Sequence, residues 1–487
     1  MALTVLINDS NFNISTGQNI AYVTTDTIGV YKFRFLMELT YKIQGITTPV
    51  TKEISFTQQQ NQDGQAVFNL SEIYKSIVTP QITPSTDSDA PTTTTASQKG
   101  NIHTLPNISG GVAKPFSAGL LENSTGYEAF KGVANVMTLK FFEMYATTPN
   151  GTPIKQTTGG THEKTIFMFW GRGQEDEGVV VDFSEYILDF ADRTFLSTNH
   201  NRIGFTYVLN IGLSEFHTMS FLNRCTINTT AETYKIRIYY YPQENLGGTS
   251  LGDMSIKNNV ANGGTYDVAT DDESFYEFVG TGLENLQKNV IDNVNNFGIL
   301  PDSVAGGRAA IKSFSIQMEN TTSSPTSIIY IFNVVSYCPN YDQSRLAYMN
   351  RFGAWDYITL NKERTDELKV KKEYITKPII NQATGIALYS SAKINTAYPL
   401  DVAKQGMMTT SVAPQIKTKM FTDYLPEDKI EQIKDLMMSP QIHLLDGENA
   451  KALILENSSM KLKREKNRGL FKYELNFSFA NPKYRTT

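Results

Sequence analysis

From Tyr31 to Ile43 every odd position is apolar (Tyr31, Phe33, Phe35, Met37, Leu39, Tyr41, Ile43), while the even positions include Lys32, Arg34, Glu38, Thr40 and Lys42. Side chains of an extended chain point alternately to opposite faces, so this period of two describes a strand with one face in a core and one in water. The alternation returns at Tyr234, Ile236, Ile238 and Tyr240 against Lys235 and Arg237, and at Phe314, Ile316 and Met318 against Ser315, Gln317 and Glu319. It appears once more at Tyr473, Leu475, Phe477 and Phe479. Strands with one wetted face belong to antiparallel sheets, so the pattern predicts a mainly β protein of antiparallel, sandwich-like modules rather than an α/β fold. Composition agrees: aromatics at 11% with charged residues at 19% favour packed strands and are too apolar for disorder.

At 487 residues the chain is long enough for about three domains, each with its own core. Four stretches are drawn from the pattern: a β module over 1–115, a second over 116–245, a third β region with long loops over 246–395, and a small α+β unit over 396–487. The first two share a motif. Phe68-Asn69-Leu70-Ser71-Glu72-Ile73-Tyr74 follows Asp63-Gly64, and Val181-Asp182-Phe183-Ser184-Glu185-Tyr186-Ile187 follows Glu177-Gly178. The two suggest a duplicated module, with chance similarity as the alternative. Each copy reads as a strand running into a helical turn.

Polar, turn-rich stretches separate the strands at Pro80 to Gly100, Thr147 to Thr165 and Asn245 to Gly282. They read as surface loops or as arms that clasp neighbouring subunits. In the last stretch Pro426 occupies a first-turn position, and Ile430, Ile433, Leu436 and Met437 follow at helical spacing up to Ser439-Pro440. Gln441 to Leu445, a turn at Asp446-Gly447, and Ala452 to Leu455 read as a hairpin.

Chemistry-bearing patterns are few. The five histidines (His103, His162, His200, His217, His443) show no zinc spacing, and no metal or cofactor is expected. Gly248-Thr249-Ser250-Leu251-Gly252 matches the nucleophile elbow G-x-S-x-G but lacks the apolar strand before it and the helix after it. Gly171-Arg172-Gly173 beside Glu175-Asp176-Glu177 carries neither a phosphate-loop Lys-Ser/Thr nor a calcium-loop spacing, and reads as a turn with a solvated acidic cluster. Cys225 and Cys338 read as buried small hydrophobes. No catalytic residue is assigned, and the chain is expected not to be an enzyme.

Charge is uneven. Residues 361–487 hold 21 Lys or Arg and 15 Asp or Glu, a net of +6, while residues 1–360 hold 23 and 34, a net of -11. This asymmetry fits head-to-tail association of copies or recognition of an acidic partner; an ordinary solvated surface explains it as well. The basic run Lys461, Lys463, Arg464, Lys466 and Arg468 lacks aromatic interleaving, so nucleic acid is not expected as a partner. The strongest apolar run, Ile328 to Val335, is too short to span a bilayer, and Met1 to Ser10 lack a basic n-region, so neither membrane insertion nor a signal peptide is expected.

The stretch Cys338-Pro339-Asn340-Tyr341, then Arg345-Leu346-Ala347-Tyr348-Met349-Asn350-Arg351-Phe352-Gly353-Ala354-Trp355-Asp356-Tyr357, resembles a segment of virion proteins of tailed bacteriophages, particularly those of Bacteroidetes hosts. Thr422-Asp423-Tyr424-Leu425, Leu436-Met437-Met438-Ser439-Pro440 and the closing sheet to Phe479-Ala480 are similar to the C-terminal segment of that group, and Asn69 to Tyr74 and Phe221-Leu222-Asn223 to its N-terminal modules. The resemblance implies a non-catalytic tail, baseplate or neck component, located in the virion, forming a homo-oligomeric ring and contacting other tail or neck proteins. Phe352, Trp355 and Tyr357 are candidate interaction anchors, with a core strand turn as the equal alternative, and Lys461, Lys463 and Arg464 are the candidate basic contacts. The tyrosine count motivates an alternative, a receptor- or surface-glycan-binding tail module, and after it a tail-associated glycan hydrolase.

Overall fold

The computed structural model describes residues 3–7, 12–14, 19–27, 29–42, 51–79, 116–118, 133–157, 162–172, 183–198, 201–203, 206–223, 234–257, 276–288, 296–320, 322–336, 343–376, 389–390, 393–394, 407–426, 429–446, 449–457 and 470–480. The protein is mainly β, with several antiparallel sheets and few helices. Tyr31–Lys42 is a strand, and Phe33, Phe35, Met37 and Leu39 on its odd face are buried as the alternation predicts. It lies between Thr51–Gln58 and Ala134–Ala146 in a six-stranded sheet, which continues through His162–Phe169 to Phe12–Ile14. A three-stranded sheet of Leu3–Ile7, Ile20–Thr25 and Gln65–Asn69 packs against it. Between them Ala21, Val23 and Phe68 meet Phe35, Met37, Phe141 and Met168, closed at one side by Tyr74 of helix α1 (Ser71–Ile77).

A second sandwich follows. Its seven-stranded sheet runs Asn201–Ile203, Thr206–Ile211, Ile329–Val334, Ser313–Asn320, Tyr234–Tyr241, Gly252–Lys257, Asn296–Gly298. Against it lie helix α2 (Leu283–Lys288) and a three-stranded sheet of Thr218–Leu222, Tyr276–Gly280 and Phe116–Ala118. The last large sheet runs Trp355–Leu360, Ser344–Met349, Ile442–Asp446, Asn449–Leu455, Glu474–Phe479, Met407–Phe421, Arg364–Thr376. Ile433 and Leu436 of helix α3 (Ile430–Met438) cover one of its faces, against Leu346, Tyr348, Leu444, Leu475 and Phe477.

Several sequence expectations need correction. Strand pairing crosses each boundary drawn from the sequence: Tyr31–Lys42 pairs with Ala134–Ala146, Thr206–Ile211 with Ile329–Val334, and Ser344–Met349 with Ile442–Asp446. Sheet neighbours are chosen by burial, and a local composition scan does not see partners 100 residues away. Among the described strands two pairings are parallel, Thr206–Ile211 with Ile329–Val334 and His162–Phe169 with Phe12–Ile14, in an otherwise largely antiparallel fold. Pro426 lies in a two-residue strand with Leu425 and not in the first turn; α3 starts at Ile430, and its apolar spacing, not the proline, marks its face. The Thr147 to Thr165 stretch contains the edge strand Ile154–Lys155 and the start of His162–Phe169, and Asn245 to Gly282 contains the strands Gly252–Lys257 and Tyr276–Gly280. Pro80 to Gly100 lies outside the described residues.

The hairpin after α3 is present, Ile442–Asp446 pairing with Asn449–Leu455. Of the shared motif, Ser71-Glu72 opens α1 and Ser184-Glu185 opens a 3-10 turn over Ser184–Tyr186. Val181 and Asp182 lie outside the described residues.

Three strand groups are buried on both faces, which the alternation rule does not anticipate. Met168 faces the first sandwich, while Phe167 and Phe169 face the other way. Likewise Phe221 and Val279 serve the second sandwich and Leu222, Tyr276 and Phe278 the opposite side, and Leu346 and Tyr348 meet α3 while Ala347 and Met349 turn away from it. These second faces meet one another in a common core.

Candidate interaction site

The turn joining Ser344–Met349 to Trp355–Leu360 stands at that common core. Asn350 organises it: its Oδ1 accepts from Phe352 N at 2.9 Å and Ala354 N at 3.1 Å. Gly353 has φ +76, and a Cβ there would lie 2.8 Å from both Trp170 O and Val133 Cγ1, so the turn admits only glycine without a shift of its neighbours. Phe352, Trp355 and Tyr357 are 4%, 2% and 2% exposed and pack with Phe169, Phe183, Leu196, Tyr276 and Phe278. They are core, and the reading of them as surface anchors is corrected: an aromatic cluster beside a glycine is the same sequence pattern in both settings, and the two sheets covering it come from distant sequence. Lys461, Lys463 and Arg464 lie outside the described residues.

Polar groups inside this core are used on the protein itself. Asp356, 3% exposed, accepts from Ser197 Oγ (2.5 Å), Thr198 N (2.9 Å), Thr198 Oγ1 (3.0 Å) and Asn350 Nδ2 (3.0 Å). Asn350 Nδ2 also donates to Leu196 O at 3.0 Å. Tyr276 OH donates to Phe352 O at 2.8 Å, Gln432 Nε2 of α3 donates to Tyr357 O at 3.0 Å, and Arg172 N donates to Arg351 O at 2.7 Å. Arg345 pairs with Glu215 and donates to Phe216 O at 3.1 Å. Asp435 of α3, 3.6 Å from the Arg172 guanidinium, is held above the usual carboxylate range, chiefly by burial. His217 and His443 are both pushed down by burial, His443 to about 4, and His217 further by the Arg345 charge. The His443 ring packs edge-on against Trp355 at 5.5 Å, and His217 lies 4.7 Å from the Tyr357 ring. This arrangement bolts three sheets and a helix together; its carboxylates and rings face protein, not solvent.

The other patterns resolve plainly. Ser250 sits in the connection between Tyr234–Tyr241 and Gly252–Lys257, its Oγ 3.2 Å from Tyr240 O and 3.0 Å from Gly252 O, with a strand after it where an elbow needs a helix. Among the described residues no group of three or more His, Cys, Asp or Glu could hold a metal ion, and no helix is long and apolar enough to cross a membrane. Cys225, Cys338, His103, His200 and Glu175-Asp176-Glu177 lie outside the described residues. Exposed aromatics sit on separate elements, Tyr22 in the N-terminal sheet, Tyr31 at a strand start, Phe190 in a turn, Tyr374 in the last sheet and Tyr424 after it.

The surface feature that the sequence reading missed is at the far edge of the last sheet. Arg364–Thr376 and Met407–Phe421 pair along their whole length, from Arg364 with Met420 to Thr376 with Met407, with one irregularity at Glu373/Tyr374. Among the described residues only Lys417 to Phe421 has a further strand neighbour, Glu474–Phe479, and beyond that base the pair is a two-stranded ribbon. Residues opposite each other share a face. Met420 and Thr418, buried at the base, therefore continue outward as Ile416, Pro414 and Val412 opposite Leu368, Val370 and Lys372. The core face of the sheet thus runs on into solvent: Leu368 is 59% and Val370 43% exposed. The other face carries Glu367, Lys369, Lys371, Lys417 and Lys419. The signal lay in the alternation of Leu368 and Val370 with Lys369 and Lys371. No protein-family model matches the chain, and no curated protein sequence matches it significantly.

Proposed function

We propose that this chain is a non-catalytic structural subunit of a tailed-bacteriophage virion, a ring or adaptor of the tail, baseplate or neck that assembles by packing copies against one another and against other tail or neck proteins. The observation that carries the reading is the ribbon of Arg364–Thr376 and Met407–Phe421, which presents an apolar row and a charged row beyond the body of the protein. A two-stranded ribbon is marginal alone in water, and an apolar row on it gains stability only when a partner covers it. The use of the buried Asp356 carboxylate and the Gln432 amide as hydrogen-bonded fastenings agrees with a scaffold role. The resemblance of Arg345 to Tyr357 to phage virion proteins supplies the setting.

Mass photometry of the purified chain, with negative-stain images of what assembles, tests the reading. A closed ring of fixed copy number is expected; a chain that stays monomeric at every concentration overturns it. Release of sugar from host polysaccharide, abolished by substituting one carboxylate, would replace it with a hydrolase.

A further inference from the structure

Apart from its two faces, the ribbon has an outer edge. Arg364–Thr376 pairs on one side with Met407–Phe421; among the described residues its other side pairs with no strand, and Thr365 to Thr376 are all exposed. The 13 residues of this strand include neither glycine nor proline. Every second residue therefore turns its N–H and C=O outward, away from Met407–Phe421, in a row without a break. Such an edge takes a further strand by main-chain pairing, and side-chain pairs then choose the strand and its register.

The order of side chains selects a second copy of the same strand, running antiparallel about Lys369. Each residue then stands opposite the one equally far on the other side of Lys369. Leu368 meets Val370, Glu367 meets Lys371, Asp366 meets Lys372 and Arg364 meets Tyr374, each twice because a two-fold axis relates the copies. The like-charged pair in this register is Lys369 with itself on the axis. Moving the axis by one residue loses the match. About Val370, Glu367 meets Glu373 and Lys369 meets Lys371; about Leu368, Arg364 meets Lys372 and Asp366 meets Val370. Opposite charges directly across a sheet stabilise it and like charges destabilise it, so the sequence favours the register about Lys369 over its neighbours. The strand holds four basic and three acidic residues, so its net charge sets up little repulsion between copies. In the single chain its charges are engaged along the strand instead, Arg364 with Asp366 at 2.9 Å and Lys369 with Glu367 at 3.6 Å, exposed pairs that give way easily.

We infer that two copies of the chain join edge to edge through Arg364–Thr376, antiparallel about Lys369, so that the last large sheet of one copy continues into that of the other. The contact is isologous, the same edge on both sides, and closes at two copies. It goes beyond the assembly reading, since it needs two copies to meet and neither a ring nor a virion.

The test reverses charges in the full chain. One variant carries Asp366→Lys with Glu367→Lys, the other Lys371→Glu with Lys372→Glu; all four positions are exposed, and circular dichroism first shows that both variants melt at the wild-type temperature. In sedimentation velocity each variant alone, with its four matched pairs now alike in sign, is expected to lose the wild-type dimer. An equal mixture is expected to restore it, because all four pairs are again opposite in sign. Cysteine placement reads the register independently of charge. Under mild oxidation Lys369→Cys stands about 5 Å from itself across the axis and is expected to give a disulfide-linked dimer. Lys371→Cys, roughly 14 Å from its counterpart, is expected to link no more than the wild type, whose Cys225 and Cys338 set the background. A variant that dimerises like the wild type, a mixture that stays monomeric beside a dimeric wild type, or equal linking at the two cysteines overturns the contact. A closed ring formed alike by the wild type and both variants overturns it while leaving the assembly reading standing. A wild-type dimer that forms no ring keeps the contact and removes the ring, and a wild type that is monomeric at every concentration removes both.

Discussion

Asp356 carries four hydrogen-bond donors and almost no solvent contact. A carboxylate in such a place is stable only because every approach to it is a donor, and removing it leaves those donors buried without an acceptor. Asp356→Ala is expected to lower the unfolding free energy by about 3 kcal/mol in urea titration. A loss under about 0.5 kcal/mol, the range of ordinary surface changes, would mean that the network does not fasten the turn. Tyr74 is the opposite case. Its ring is buried at 1% exposure, yet its hydroxyl has no hydrogen-bond partner among the described residues. Tyr74→Phe removes only that oxygen and is expected to stabilise the chain by about 1 kcal/mol, read as a raised melting temperature; a lowered one would reveal a partner for the hydroxyl. At this scale the sequence marks residue type well and setting poorly. Phe352, Trp355 and Tyr357 around Gly353 read equally as anchors or core, and the choice is made by Tyr276 and Phe278, some 75 residues earlier in the chain.

Elements were legible wherever one face is dry and the other wet. Tyr31–Lys42, Tyr234–Tyr241 and the hairpin after α3 follow directly from their patterns. Tyr276–Gly280 does not: all five residues are buried, so nothing alternates. The ribbon fails for a different reason. Its pattern is present in the sequence, but Leu368 and Val370 are exposed, and a period-2 signal says which side chains share a face without saying whether anything lies against it. Beyond Lys417 to Phe421 its ladder hydrogen bonds link, among the described residues, only its own two strands, so local opening is cheap there in the free chain. Hydrogen exchange is therefore expected to be fast for amides of Lys369 to Thr376 in the monomer and slow in the assembled form; equal protection in both would show that assembly leaves the ribbon uncovered.

The whole molecule is held together where strands of three sheets serve two cores at once. Phe167 and Met168, adjacent in sequence, belong to different cores, as do Leu346 and Ala347. The fastening carries a pH dependence. His443 titrates at about 4 in the folded chain because burial disfavours its charged form, against about 6.5 for an unfolded histidine. Between those values the unfolded chain binds a proton that the folded chain does not, so stability falls as pH drops from 6.5 toward 4, by about 3 kcal/mol from this group. His217, lowered by burial and then by Arg345, acts in the same direction. Asp435 is raised, so the folded chain protonates it first, which opposes the loss at the acid end. Urea unfolding at pH 7.0 and at pH 4.5 measures the sum. His443→Phe is expected to flatten part of the slope, and an unchanged slope would assign it elsewhere.

By itself the sequence determined the chemistry of each segment: strands with a wet and a dry face, a turn at Asp446-Gly447, one amphipathic helix at α3, and a charge divided between the first 360 residues and the rest. Those are local properties, set by side-chain period and backbone freedom within a few residues. The tertiary structure alone decided which strands became neighbours across more than 100 residues, which apolar faces met in the common core, and which face of the ribbon was left uncovered. Burial is a property of the surroundings of a side chain, and those surroundings are assembled from every part of the chain at once.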